Sequence, residues 1–95
     1  MDIKVLKVAK DTNINALSDA ILEQVINNGA CHIDSIGVSA SYTLVKSLIS
    51  VTDDLVSKGY QFSVRPYYVT VKVDGENDEQ NVKTAIRWTL VAKHR

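Results

Sequence analysis

The stretch Ile36–Lys46, IGVSASYTLVK, decides how the chain is read. Apolar residues lead into Gly37, small polar residues follow, and then a helical pattern begins. That is a strand, a tight turn and a helix whose first amides are open. Such a helix start favours anions, because its first amides have no intrahelical partner and the helix dipole is positive there. Two readings of the turn stand side by side. In one, Gly37, Ser39 and Ser41 hold a phosphate, with Lys10 or Lys46 adding charge. In the other, Ser39 or Ser41 caps the helix and Lys46 is solvated.

Outward from that turn the chain alternates strand and helix. Ile3 to Ala9, IKVLKVA, is rich in β-branched residues and reads as a first strand. The polar turn Lys10–Asn15 follows, with Asn13 or Asn15 as the cap of a helix over Asn15–Asn28. Leu17, Ala20, Ile21 and Val25 make its apolar stripe, widened by Leu22 and Ile26. Gly29 suits a left-handed helix end. Ala30 to Val38 is a second strand, and Ser41 to Lys58 a second helix. Leu44, Val45, Leu48, Ile49, Thr52, Leu55 and Val56 trace its buried face, and Gly59 ends it. Strand, helix and strand in so short a span imply a crossover to a parallel neighbour.

The remainder is β. Phe62 and Val64 are apolar at even positions, whereas Val69, Val71 and Val73 are apolar at odd ones. A bulge near Arg65-Pro66 reconciles the two halves, since a one-residue slip exchanges the faces of a strand. Pro66 lacks an amide hydrogen and favours a bulge or an edge. Asp74–Asn81 is a hairpin loop, and Val82 to Ala92 is the last strand, with Ile86, Trp88 and Leu90 inward. The expectation is an α/β (α+β two-layer) fold in one domain, 1–95. Its order is β-α-β-α-β-β, a four-stranded mixed sheet with two helices on one face.

Composition bounds the function. The chain is 45% hydrophobic and 23% charged, as in ordinary globular domains. Eleven Lys and Arg against 11 Asp and Glu argue against a nucleic-acid packaging protein and make the placement of charge decisive. The lone cysteine, Cys31, makes no internal disulfide and fits a cytoplasmic protein. No signal peptide and no membrane span are expected. Cys31 and His32 are neighbours on a strand, so their side chains leave on opposite faces and do not share a metal. No nucleophile–base arrangement, metal motif or cofactor motif is present, and no enzyme is expected.

The hairpin stem carries the remaining pattern. If Val69, Val71 and Val73 face the core, then Tyr68, Thr70 and Lys72 face out. If Ile86, Trp88 and Leu90 face the core, then Lys83, Arg87 and Thr89 face out. Lys72, Lys83 and Arg87 then form a basic patch with no acid in register, which a polyanion relieves. The plain alternative is that the lysines guard an edge against strand pairing.

Seven features, taken together in their order, resemble the stage V sporulation protein S (SpoVS) family. They are LKVAK, Asn15 at the first helix, GACHIDSIG, LVKSL with Lys46, Pro66, VDGE at the hairpin entry, and TAIR. The resemblance covers nearly the whole chain. It implies an Alba-like fold, which in Alba proteins is a dimeric nucleic-acid binder, and a role in sporulation. Tyr42-Thr43 stand where the family has Asn-Gln, and the hairpin loop is longer here. That loop carries Asp74, Glu76, Asp78 and Glu79 and no base, so the Alba mode, a basic hairpin along DNA, does not carry over.

The sequence thus leads to a homodimer that binds DNA or RNA weakly, salt-sensitively and without base readout. Its phosphate contacts are Lys10, Lys46, Arg65, Lys72, Lys83 and Arg87. The alternative is a protein–protein assembly module that uses the acidic loop and binds no nucleic acid.

Overall fold

A computed structural model describes residues 4–73 and 81–95. The order is β1 (Leu6–Val8), α1 (Ile14–Asn28), β2 (Ala30–Ser35), α2 (Val38–Ser57), β3 (Tyr60–Val73) and β4 (Asn81–His94). The strands form one sheet in the order β1-β2-β4-β3; β1 and β2 are parallel, and the other pairings are antiparallel. This is the expected mixed sheet with both helices on one side.

The helices begin and end for identifiable reasons. Asn13 caps α1, its side-chain oxygen accepting from the Ala16 amide at 3.0 Å, so Asn13 rather than Asn15 is the cap. Gly29 closes α1 in the left-handed region, and Gly59 does the same after α2. The second helix starts at Val38, three residues earlier than Ser41, and β2 accordingly stops at Ser35. Gly37 makes that early start possible. Its φ of 88° and ψ of 165° turn the chain sharply in a region only glycine visits without strain.

The core lies between the helices and one face of the sheet. Leu17, Ile21 and Val25 of α1 meet Leu44, Leu48, Val51 and Leu55 of α2 over Cys31, Ile33 and Leu90. Ser47 is fully buried between the helices, and its hydroxyl donates to the Ile14 carbonyl at 3.2 Å, so the small polar side chain is satisfied where the helices meet. Two residues expected on the buried face of α2 are not there: Ile49 is 57% and Val56 64% exposed.

The expected bulge at Arg65-Pro66 is absent. Pairing runs unbroken from Tyr60 opposite His94 to Val73 opposite Asn81. Strand β3 is an edge strand, which alone accommodates Pro66. The change of apolar parity has another cause. Val64 lies on the helix side and packs on the core, but farther along β3 the helix side loses that cover, and Tyr68 there is 79% exposed. Val69 and Val71 instead lie on the opposite face. There Val69 stands across from Ala85, which is buried although it is no part of the main core. A minor apolar cluster on the second face thus replaces the inferred slip.

Candidate nucleic-acid interface

Alternation along β4 and the unbroken register assign every stem residue to a face. Lys83 and Arg87 lie on the open face with Thr89, whereas Lys72 lies on the helix side, across from Val82. The three cations expected to form one patch are therefore split between two faces. An acid is also in register. Asp34 on β2 stands opposite Arg87 and takes two hydrogen bonds from its guanidinium, at 2.7 and 2.9 Å. Asp34 is 6% exposed, and its hydrogen bond raises the Arg87 pKa above the ordinary value. Arg87 is committed to this pair.

The opening turn has a different construction from the one expected. The Ser41 hydroxyl donates back to the Gly37 carbonyl at 2.8 Å and meets the Ser35 hydroxyl at 3.0 Å, so neither Ser41 nor Ser39 caps the helix. The first intrahelical bond runs from the Ser41 amide to the Gly37 carbonyl. The amides of Val38, Ser39 and Ala40 thus have no intrahelical acceptor. Lys46 is remote from this turn in function: its ammonium sits 4.5 Å above the Tyr42 ring on the outer side of α2.

Other lysines take its place. Lys10, just past β1, and Lys83 on β4 line one cleft of about 460 Å³ together with Gly37, Val38 and Ser39. This cleft lies at the carboxyl ends of the parallel strands β1 and β2. It shares Val8 and Ile36 with a neighbouring cleft of about 410 Å³ that Lys7 and Lys72 line. Lys72 and Lys83, on opposite faces of the hairpin, therefore each meet a second lysine near this end. The acidic loop, Asp74 to Gln80, lies outside the described residues.

A polar group on the open face was not foreseen. His32 Nδ1 lies 2.8 Å from the Thr89 hydroxyl, and the Tyr67 hydroxyl lies 2.9 Å from the same oxygen. The Arg65 guanidinium lies 4.9 Å from the centre of the Tyr67 ring. The signal was present in the alternation Cys31, His32, Ile33, Asp34, which sends His32 and Asp34 away from the core. It becomes informative only once β2 is known to pair with β4.

Cys31 is fully buried in the core, opposite in direction to His32, and burial pushes its thiol up to about 12. Among the described residues no three of His, Cys, Asp and Glu come together to hold a metal. No helix among them is long and apolar enough to cross a membrane.

Alba from Thermoplasma volcanium is similar in structure, with a TM-score of 0.58 and 20% identity, covering 93% of this chain and 99% of that one. That likeness establishes the Alba-like fold. A precorrin-6y C5,15-methyltransferase from Geobacter metallireducens GS-15 aligns at a TM-score of 0.40 and 14% identity, over 96% of this chain and 42% of that one, a likeness too slight to carry an argument. No curated protein sequence matches. The sequence pattern of one family, stage V sporulation protein S (SpoVS), matches residues 4–93, and the chain belongs to that family.

Proposed function

We propose that this protein is a nucleic-acid-binding regulator of sporulation that acts as a cytoplasmic homodimer and catalyses no reaction. The observation that carries this reading is the convergence of Lys10, Lys83 and the uncapped start of α2 on one cleft. Two ammonium groups and a helix N-terminus suit a backbone phosphate, and Lys7 and Lys72 in the neighbouring cleft suit the next. Nothing in this arrangement reads base edges, so binding is sequence-tolerant and weakens steeply with salt.

Support for the dimer comes from α2. Val38, Tyr42, Val45, Ile49, Thr52 and Val56 recur at alternating steps of four and three along the helix, the spacing of a coiled-coil seam. Val38, Tyr42, Ile49 and Val56 are all exposed. A second copy laid antiparallel about a two-fold axis at Ile49 sets Tyr42 against the partner's Val56 and Lys46 against the partner's Asp53. The seam then sets apolar residues against apolar ones and opposite charges against each other.

The test is binding to labelled duplex and single strands, titrated from low salt upward. Lys10→Glu with Lys83→Glu is expected to abolish duplex binding while leaving the fold intact. Absence of binding at low salt rejects the reading and leaves the assembly-module alternative.

A further inference from the structure

The two sides of the molecule differ in charge. On the open face of the sheet stand Lys7, Arg65, Lys83, Arg87 and Lys93, and among the described residues Asp34 is the one acid there. Arg87 neutralises Asp34, so the field of this face belongs to the remaining cations. The helix side carries Asp19, Glu23, Asp53 and Asp54, all exposed. The helices also carry Lys46, and Lys58 closes α2, so acids outnumber cations there by four to two, whereas cations prevail on the sheet face.

An ordered aromatic lies on the cationic side. Tyr67 is on the edge strand β3, half-buried, with its hydroxyl fixed by Thr89 and Thr89 in turn held by His32. The Arg65 guanidinium carbon lies over this ring, 4.9 Å from its centroid. Unstacked bases pack on tyrosine rings and on guanidinium planes, and an exposed sheet presents both to a single strand. A duplex keeps its bases stacked inside and offers such a surface only phosphates.

We propose that the open face of the sheet is a second site, selective for single-stranded nucleic acid, where a base stacks on the Arg65–Tyr67 pair and Lys93 holds a phosphate farther along the strand. The proposal rests on the nucleic-acid reading above and adds to it where the strand lies and in which form. Tyr67 is held in place before the ligand arrives, so little ordering opposes stacking.

The experiment compares fluorescence anisotropy of a labelled oligouridylate and a labelled DNA duplex at low salt. Tyr67→Leu is expected to weaken oligouridylate binding on the order of tenfold, the usual worth of one stacked base, and to leave duplex affinity unchanged. Tyr67→Phe, which keeps the ring, retains oligouridylate binding. Lys10→Glu shows the converse, with the larger loss on duplex. Circular dichroism confirms that each variant is folded. Equal effects of Tyr67→Leu on both probes, or no effect on either, overturn the open-face site while the cleft stands. If the unaltered protein binds neither probe, the nucleic-acid reading itself fails, and this site with it.

Discussion

Arg87 on β4 and Asp34 on β2 stand directly across from each other and join through two parallel hydrogen bonds, at 2.7 and 2.9 Å. The carboxylate is nearly inaccessible, while the arginine side chain keeps 28% of its exposure. The pair therefore ties two central strands together on the face that has no helices. Arg87→Leu strands a buried charge and is expected to cost about 2–3 kcal/mol in urea unfolding. Asp34→Leu combined with Arg87→Leu removes both charges and recovers most of that loss. An additive double variant would contradict the coupling.

Gly37 and Gly29 both have positive φ but differ in ψ, at 165° and −9°. Asparagine tolerates the second conformation and not the first. Gly29→Asn is expected to be nearly neutral, whereas Gly37→Asn costs about 1–3 kcal/mol. No atom lies within 4 Å of a Cβ built at either position, so the contrast measures backbone strain alone. Thermal melts of the two variants make the comparison.

Burial raises the Cys31 thiol from 9.0 to about 12 in the folded chain. Between those values the unfolded chain has lost the proton that the folded chain keeps. The contribution of this group to stability is therefore complete below pH 9 and falls away as pH rises toward 12. Cys31→Ala is expected to flatten that alkaline decline in urea melts, whatever its effect near neutrality. Under native conditions the thiol should react with a thiol reagent only as fast as the protein opens.

Ile49 is more than half exposed at the middle of the α2 seam. For the proposed homodimer, Ile49→Glu is expected to yield a folded monomer by sedimentation, since the residue is exposed and two glutamates would face each other across the proposed axis. Asp53→Lys is expected to weaken the proposed dimer, and Lys46→Asp added to it is expected to restore association through the exchanged pair. A dimer indifferent to Ile49→Glu places the interface elsewhere.

The helices and the order of elements were legible in local chemistry: Gly29 and Gly59 ended helices as expected, and apolar spacing located both. The faces of the hairpin were not. The apolar alternation of Val69 and Val71 predicts core residues, because such alternation normally marks the buried side. Here α2 is too short to cover the whole stem, and the valines attend a second, smaller cluster with Ala85. The same limit misplaced Ile49 and Val56, apolar residues on the rim of a helix whose core face is already filled. Of the anticipated site, Lys10, Gly37, Ser39 and Lys83 do meet at one cleft. Lys46 and Arg87 have other partners, since Tyr42 and Asp34 are contacts that only the folded chain supplies.

The uninterrupted pairing of β3 with β4 constrains how this chain can vary in length. Every residue from Tyr60 to Val73 has a fixed counterpart between Asn81 and His94. Deleting one residue inside either strand would exchange the sides of those beyond it; a deletion between Tyr60 and Val64 would send Tyr67 inward and Val64 outward at a stroke. Length variation is therefore expected to be absorbed at the connection joining the two strands, or in matched pairs from both, with the sheet below left undisturbed.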